Sequence, residues 1–354
     1  MKGLILSGGT GSRLRPITQT GAKQLLPVAN KPILFYGIES LRDAGIREIG
    51  IVVGETGEAI KAAVGTGDRW GVKISYIQQA SPMGLAHAVK ISESFLGSEP
   101  FVMYLGDNVI KTGISSFLTD FDRDRSNSHI LLSAVKNPQD YGVAVLKDGR
   151  VTELQEKPAN PKSPLAIVGV YIFDQTIFKA VNAIKPSPRG ELEITDAIQW
   201  LIQNGHLVKA HVINSWWKDT GTVESILEAN RMFLEDIETQ IEGFVDNSSK
   251  VYGRVRIGKN TKVINSHLRG PLVIGSDCTV VRSYIGPFTS ISDEVTVKES
   301  EIEHSVVLEK SNILSIGGRI EDSLIGKNVQ VIRTDEQPVA YRIIVGDNST
   351  VKIK

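Results

Sequence analysis

The sequence lacks the features that several familiar classes of protein require. Its one cysteine, Cys278, excludes an internal disulfide framework and a metal site built from several cysteines. Its 40 lysine and arginine residues balance 40 aspartate and glutamate residues, so no net charge attracts nucleic acid or an anionic membrane. No apolar run approaches the length of a membrane span, and the first is too short for a signal peptide. We therefore expect a cytoplasmic protein that binds neither nucleic acid nor membrane.

The length and the pattern of the chain predict two domains. A chain of 354 residues exceeds one typical core, and we place domains at 1–241 and 251–354 with a linker at 242–250. Alternating strand-like and helix-like segments in the first domain predict an α/β fold, with a mostly parallel, Rossmann-like sheet between helices. The predicted strands are 4–6, 48–54, 72–78 and 101–107, and the predicted helices are 31–45, 58–64, 84–94 and 223–241.

From residue 251 the sequence repeats with a period of 17 residues. One aliphatic residue in every five or six, with glycine or small polar residues between, is what a three-sided parallel β-helix requires. A β-sandwich would need strict alternation, which is weak here. The C-terminal segment 337–354 would cap the coils or contact a second subunit of a homo-oligomer. The series are Ile257, Ile274, Ile291, Leu308 and Ile325; Val263, Val280, Val297, Leu314 and Val331; and Val251, Leu268, Ile285, Ile302 and, one residue late, Ile320.

Glycines and cations are concentrated in residues 8–28, GGTGSRLRPITQTGAKQLLPV. Glycines after a strand let backbone approach a ligand closely, and backbone N–H groups in such a loop can hold phosphate oxygens. Arg13 and Lys23 would add cationic donors. The segment matches neither G-x-G-x-x-G nor the P-loop, and for the glycines alone a plain turn is the alternative.

These residues resemble the signature of the sugar-1-phosphate nucleotidyltransferases, G-G-x-G-x-R-L-x-P-x-T followed by K-x-x-x-P-V. The matching motifs extend from residue 1 to about 230. Within the family, the chain most resembles long members that join dTTP to glucose-1-phosphate and carry a C-terminal left-handed β-helix. The other matching segments are, in order, QQASPMGLAHA, LGDN, YGVA, EKP, GVYIF, PSPRGELEITD and WWKDTGT.

The resemblance implies attack of the sugar phosphate on the α-phosphorus of a nucleoside triphosphate, with release of pyrophosphate. Like charges about 4 Å apart repel by roughly 4 kcal/mol at an effective dielectric constant near 20, so the site needs cations. No side-chain nucleophile is needed, which fits the lack of a Ser-His-Asp or Cys-His arrangement. Arg13 would stabilise the pyrophosphate and Lys23 would hold the α- and β-phosphates. The implied phosphate loop is Gly8, Gly9, Thr10, Gly11 and Ser12.

The resemblance also implies a magnesium site at Asp107 and Asp219. Mg²⁺ is typically held by one or two carboxylates together with phosphate oxygens and water. Taken alone, Asp107 in LGDN is equally suited to a turn. Asp219 could instead cap the following helix, a role that Thr220 or Thr222 could share.

Two further sets of residues match the family's substrate pockets. Lys157 would bind the sugar phosphate and Glu156 a sugar hydroxyl, although both could be solvated charges in a turn. The base pocket would use Gln79, whose amide can both donate and accept, and Gly84. Met83 stands where the family often has an acidic residue, which weakens the assignment of the base. The implied sugar-phosphate residues are Tyr141, Gly142, Glu156, Lys157, Gly169, Arg189 and Trp217, where Arg189 could instead belong to a charged helix start and Trp217 to the core.

Three other functions remain open at this point. UTP could replace dTTP or serve beside it, because one methyl group is worth only about 1–3 kcal/mol. The β-helix could be an acetyl-CoA-dependent acyltransferase that uses His267 or His304. The protein could also be a non-catalytic regulatory subunit, but the presence of Lys23 and Asp107 argues against that role.

Overall fold

A computed structural model of the chain describes residues 1–9, 11–213 and 215–333, so the predicted cap at 337–354 lies outside the described residues. The chain divides into two compact units. In the described part of the chain, no helix is long and apolar enough to cross a membrane. The first unit comprises residues 1–11, 21–26 and 31–221, and the second comprises 12–20, 27–30 and the chain from 222 onward.

Strands and helices alternate in the first unit, as the sequence predicts. The first helix starts after Pro32 and is followed by Gly45 with φ of +87°, the left-handed conformation that commonly ends a helix. The strands up to residue 219 are β1 (Lys2–Ser7), β2 (Pro27–Val28), β3 (Lys31–Pro32), β4 (Glu48–Val53), β5 (Lys73–Gln78), β6 (Phe101–Leu105), β7 (Asn108–Ile110), β8 (Ser128–Ala134), β9 (Gly142–Lys147), β10 (Arg150–Glu156), β11 (Leu165–Phe173), β12 (Val208–Val212) and β13 (Trp217–Asp219). The helices are α1 (Ile33–Asp43), α2 (Gly57–Val64), α3 (Leu85–Ile91), α4 (Glu93–Leu96), α5 (Ser115–Asp124), α6 (Ile177–Ala183), α7 (Ile194–Gln203) and α8 (Val223–Leu234), and short 3-10 helices lie at Ser12–Leu14, Ile17–Gln19, Lys23–Leu25, Asp68–Trp70 and Pro138–Asp140.

The main sheet of the first unit has nine strands in the order β5-β4-β1-β6-β11-β8-β12-β10-β9. Strands β5, β4, β1 and β6 are parallel, as predicted, and so are β12 and β8. The other pairings are antiparallel, so the sheet as a whole is mixed. In the parallel half, the carboxyl ends of β1, β4 and β6 lie at one edge, where ligands of α/β sheets bind. The glycine loop and Asp107 follow β1 and β6 at this edge.

The main sheet buries apolar side chains on both faces. Leu4 and Leu6 belong to one core cluster, whereas Ile5 belongs to another. Successive side chains of a strand point to opposite faces, so β1 is covered on both sides. This double burial explains why β1 is a continuous apolar run.

Residues 240–332 of the second unit form a coil of short parallel strands in three sheets, consistent with the predicted left-handed β-helix. The sheets follow the orders β14-β17-β20-β23-β26-β29, β15-β18-β21-β24-β27-β30 and β16-β19-β22-β25-β28. The strands are β14 (Gln240–Ile241), β15 (Phe244–Val245), β16 (Lys250–Tyr252), β17 (Val255–Ile257), β18 (Lys262–Ile264), β19 (His267–Arg269), β20 (Leu272–Ile274), β21 (Thr279–Val281), β22 (Tyr284–Ile285), β23 (Thr289–Ile291), β24 (Thr296–Lys298), β25 (Glu301–Ile302), β26 (Val306–Val307), β27 (Asn312–Leu314), β28 (Arg319–Ile320), β29 (Leu324–Ile325) and β30 (Gln330–Ile332).

The 17-residue series hold for the first coils and then shift by one residue. Ile291 pairs with Val307 and not with the predicted Leu308. Val297 pairs with Ile313, so the prediction of Leu314 is also wrong. The next coil restores the register, because Val307 pairs with Ile325 and Ile313 with Val331. The third series, with its slip at Ile320, is confirmed.

The chain enters the coils earlier than the sequence predicts. Helix α8 ends at Leu234 rather than at residue 241, because Gln240 and Ile241 pair with Arg256 and Ile257 as a strand. The predicted linker at 242–250 contains β15 and the start of β16, which pair with the following coil. The domain boundaries themselves remain predictions.

Candidate active site

The glycine loop starts where β1 ends, and its backbone is closely packed. A Cβ atom on Gly8 would lie 2.8 Å from Gln79 Oε1, and one on Gly9 would lie 3.2 Å from Lys23 Cε. A side chain at Gly8 would force the Gln79 amide to move. The structure thus brings Gly8, Gly9, Lys23 and Gln79 together. Thr10 lies outside the described residues.

Lys23 and Asp107 form an ion pair at this edge of the sheet. Their side chains are only 13% and 17% exposed, respectively. Burial raises the pKa of Asp107, but the Lys23 ammonium and the Asn108 amide outweigh that effect and hold the pKa below its usual value. The carboxylate is therefore ionised at neutral pH and already compensates a cation. Asp107 lies in a turn and is also ionised, so its position in a turn does not exclude its predicted role as a metal ligand.

A short antiparallel pairing brings the second predicted metal ligand to the same place. Strand β13 pairs with β7, so Asp219 lies opposite Asn108. Thr220 donates from its backbone N–H (3.0 Å) and its hydroxyl (2.6 Å) to the Asp107 carbonyl oxygen. Helix α8 is capped by Thr222, which forms a capping box with Ser225. The alternative of Asp219 as the helix cap is therefore wrong.

The chemistry of this pair of carboxylates fits a hard divalent cation. Within the described residues, no cluster of three or more histidine, cysteine, aspartate or glutamate side chains could enclose a metal. A metal at Asp107 and Asp219 would therefore need phosphate oxygens and water to complete its shell, as Mg²⁺ typically does. The Lys23 ammonium beside Asp107 shows that the site accepts positive charge.

Asn108 links the Asp107 carboxylate to the Trp217 indole, and sequence reasoning missed it. Its amide Nδ2 donates to Asp107 Oδ1 at 3.0 Å, and its Oδ1 accepts from Trp217 Nε1 at 2.6 Å. The Trp217 ring meets the Tyr141 ring edge-on at a centroid distance of 5.5 Å. Trp217 is half-buried, so it is neither free nor a simple core residue. The sequence feature that could have identified Asn108 is its position directly after the predicted metal ligand, Asp107.

The residues predicted for the sugar phosphate form a charged cluster. Arg189 Nη2 donates to Glu156 Oε1 at 3.1 Å and to Glu193 Oε1 at 2.9 Å. Thr195 Oγ1 donates to Glu156 Oε2 at 3.2 Å. Burial and, next, the charge of Glu193 raise the pKa of Glu156. Glu193, which is only 5% exposed, is the buried partner of Arg189.

The other predicted pocket residues have mixed surroundings. A Cβ on Gly142 would lie 3.3 Å from Glu156 Oε2, so this glycine lies beside the charged cluster. Lys157 is exposed, has φ of +43°, and donates its backbone N–H to the Tyr141 carbonyl oxygen at 3.1 Å. Gly169 is buried, and a Cβ there would lie 2.7 Å from Leu105 Cδ1. The surroundings of Gly169 therefore indicate packing against β6.

Gln79 and Gly84 lie near each other, next to the loop. Gln79 is only 8% exposed, and its Nε2 donates to the Gly84 carbonyl oxygen at 3.3 Å. Gly84 has φ of +97°, and a Cβ there would lie 2.4 Å from the Leu192 carbonyl oxygen. This glycine is thus required by the segment that carries Arg189. Met83 is 41% exposed.

Comparison with known proteins agrees with this geometry. The family model described as Nucleotidyl transferase matches residues 2–236, more than half of the chain. The chain belongs to the nucleotidyltransferase family. Enzymes of this family generally use a divalent metal ion, which agrees with the donor set at Asp107 and Asp219.

Two relatives match this nucleotidyltransferase over its whole length. Proteins named glucose-1-phosphate thymidylyltransferase from Streptomyces griseus and Streptomyces antibioticus are each 52% identical to it. The alignments cover 100% of this chain and 99% and 100% of those proteins, respectively.

Two solved structures each match about two thirds of the nucleotidyltransferase. One, assigned as a glucose-1-phosphate thymidylyltransferase from Bacillus anthracis, holds sucrose and is 36% identical, with a TM-score of 0.63 over 68% of this chain and 97% of its own. The other is a UDP-glucose pyrophosphorylase with bound UDP-glucose, 26% identical, with a TM-score of 0.61 over 67% of this chain and 99% of its own.

Two of the predicted site residues belong to the second unit. Ser12 and Arg13 are exposed on the 3-10 helix Ser12–Leu14, which belongs to the second unit. Their roles stay predictions. In the β-helix, His267 lines an open, polar cavity of about 700 Å³, and His304 Nδ1 contacts Asp322. Neither of these two observations tests the acyltransferase alternative.

Proposed function

We propose that this nucleotidyltransferase transfers a thymidylyl group from dTTP to glucose-1-phosphate and releases pyrophosphate. The observation that carries the proposal is the half-buried Lys23–Asp107 ion pair beside Asp219, at the edge where the glycine loop starts. The two full-length Streptomyces relatives support the choice of dTTP and glucose-1-phosphate. We also propose that the catalytic domain ends near residue 241 and that the protein acts in the cytoplasm.

The proposed reaction needs positive charge more than it needs acid or base catalysis. An oxygen of glucose-1-phosphate forms a bond to the α-phosphorus while the bond to the bridging oxygen of the β-phosphate breaks. The electron pair leaves with pyrophosphate, and no proton has to move, because the attacking oxygen is already ionised. We propose that Asp107 and Asp219 hold Mg²⁺, which when bound supplies charge neutralisation for the phosphates.

Lys23 has the position and the charge to bind the triphosphate. Its side chain lies against Gly9, where a Cβ atom would come within 3.2 Å of Lys23 Cε. In the proposed complex the ammonium contacts the α- and β-phosphates, and Arg13 stabilises the pyrophosphate that leaves. Preorganised charges of this kind stabilise the charge that develops in the transition state.

The sugar side of the site is preorganised by the charged cluster. Arg189 holds the Glu156 carboxylate from one side and Thr195 holds it from the other. We propose that Glu156 accepts a hydrogen bond from a sugar hydroxyl and that Lys157 binds the sugar phosphate. Tyr141, Gly142 and Trp217 would form the wall of this pocket.

The experiment that tests the proposal is a side-by-side kinetic comparison of dTTP and UTP with glucose-1-phosphate. The proposal predicts dTDP-glucose and pyrophosphate in equal amounts. It also predicts a preference for dTTP of no more than about 200-fold, because only one methyl group separates the bases. If kcat/KM is larger with UTP than with dTTP, UTP is the preferred substrate and the choice of dTTP is wrong. Lack of turnover with any triphosphate would overturn the proposal.

A further inference from the structure

The orientation of the Gln79 side-chain amide is fixed by its surroundings. Its nitrogen Nε2 lies 3.3 Å from the Gly84 carbonyl oxygen and 3.0 Å from His87 Nδ1. A backbone carbonyl can only accept a hydrogen bond, so the nitrogen and not the oxygen of the amide must face Gly84. The oxygen Oε1 consequently faces the start of the glycine loop, where a Cβ on Gly8 would lie 2.8 Å away.

This orientation also fixes the tautomer of His87. Because Gln79 Nε2 is a donor, the imidazole must accept at Nδ1 and carry its proton at Nε2. Burial and, to a lesser extent, the Lys90 charge lower the pKa of His87, which favours the neutral ring that this contact requires. The ring is half-buried on α3 and lies outside every role assigned above.

Both N–H bonds of the Gln79 amide are therefore used within the protein. One is directed to Gly84 and the other to His87, so the amide presents only its oxygen to a ligand. An acceptor alone can pair with a base whose N3 carries hydrogen, as in thymine and uracil. Cytosine has an acceptor at N3 and its donor at the N4 amino group, so a Gln79 oxygen placed opposite N3 would lack a hydrogen bond with cytosine.

We propose that His87 is a positioning residue that locks the Gln79 amide and thereby selects thymine or uracil over cytosine. This inference rests on the proposed function, because it assumes a pyrimidine nucleotide beside Gln79. Without the His87 acceptor, one buried N–H would lose its partner. The amide would then be held only by its longer contact to Gly84, and a turned amide would present its nitrogen, which pairs with cytosine N3.

The test compares His87→Leu with His87→Asn, using dTTP and dCTP as alternative substrates with glucose-1-phosphate. Leucine removes the acceptor, whereas the asparagine carbonyl can replace Nδ1. The proposal predicts that the ratio of kcat/KM for dTTP to that for dCTP falls by about tenfold or more in His87→Leu, since a buried donor is left unpaired. It predicts recovery of most of the ratio in His87→Asn. The KM for glucose-1-phosphate should stay unchanged in both variants.

A ratio that is unchanged in folded His87→Leu would overturn the inference and leave the proposed function intact. If wild-type protein turns over no triphosphate, the proposed function fails. The inference is then tested by competition between dTTP and dCTP for equilibrium binding, and it predicts the same loss of preference for dTTP in His87→Leu. If His87→Leu does not fold, the ¹⁵N shifts of the wild-type imidazole decide. A proton on Nε2 supports the inference, and a proton on Nδ1 overturns it.

Discussion

Trp217 Nε1 donates a hydrogen bond to Asn108 Oδ1 at 2.6 Å, and this contact sets the direction of the Asn108 amide. Because the oxygen of the amide is held by the indole, its nitrogen faces Asp107 and donates to Oδ1. The other carboxylate oxygen of Asp107 contacts Lys23. One chain of polar contacts therefore runs from Trp217 through Asn108 and Asp107 to Lys23.

Trp217→Phe keeps an aromatic ring and removes the donor to Asn108. We expect kcat/KM to fall by about tenfold or more, because leaving a buried acceptor unpaired costs about 1–3 kcal/mol. The measurement is steady-state kinetics with both substrates. Trp200→Phe on α7, whose ring stacks on His206, is the matched control and should retain full activity. If Trp217→Phe and Trp200→Phe have the same kcat/KM, the hydrogen bond from Trp217 to Asn108 has no part in activity.

Lys23→Ala and Asp107→Asn should each lower kcat by about 100-fold or more, as expected when a preorganised charge at a reacting phosphate is lost. Thermal unfolding should show that both variants remain folded. Lys61→Ala, which breaks an exposed pair with Glu58, is the control for loss of a lysine. Full turnover in either active-site variant would show that the ion pair has no part in the reaction.

Glu156→Gln should stabilise the protein near neutral pH while it lowers activity. The pKa of Glu156 is raised from its usual 4.5, so the wild type loses stability as the pH rises from 4.5 through the raised pKa. Glutamine has no charge and avoids this loss, but it is a weaker acceptor for a sugar hydroxyl. Unfolding free energies at pH 4 and pH 7 check the prediction. A gain in stability that is larger at pH 4 would contradict it.

His129 should make the stability of the first unit sensitive to acid. It is 1% exposed, its ring meets Phe117 at 5.3 Å, and no described residue accepts or donates at its Nδ1. Burial lowers its pKa, so its contribution to stability is present above its usual 6.5 and is lost as the pH falls through the lowered pKa. His129→Gln should flatten the dependence of the unfolding free energy on pH between pH 7 and pH 5. Parallel pH profiles for wild type and His129→Gln would disprove this.

A ladder of serine hydroxyls should stabilise the β-helix. Ser283 Oγ accepts from the Ser300 N–H at 3.3 Å and donates to the Val281 carbonyl oxygen at 2.8 Å. Ser283→Ala should destabilise the coils by about 1–3 kcal/mol, because a buried N–H loses its acceptor. Hydrogen exchange of the Ser300 amide should accelerate accordingly. Ser248→Ala, at an exposed turn, should leave that amide unchanged, and equal exchange in both variants would contradict the prediction.

The regular parts of the fold could be predicted because local patterns specify them. Buried apolar runs marked β1, β4 and β6, and the 17-residue period marked the coils. The shifted register could not be predicted, because Val306, Val307 and Leu308 are all apolar and any of them could face inward. The true choice follows from the lengths of the neighbouring turns.

The charged residues of the site could be predicted from motifs, but the residues that orient them could not. Lys23 and Asp107 carry the charge that the reaction demands, and the structure brings them into contact. Asn108 and His87 act only through their neighbours, Asp107 and Gln79. Such roles depend on contacts between strands and helices that are distant in the sequence.

The most direct test of the account is ³¹P NMR of purified protein with dTTP, glucose-1-phosphate and Mg²⁺. The account predicts that dTDP-glucose and pyrophosphate appear together at equal rates in the wild type, and that neither appears at a comparable rate in Lys23→Ala. Release of pyrophosphate without dTDP-glucose, or equal product formation by Lys23→Ala, would contradict it.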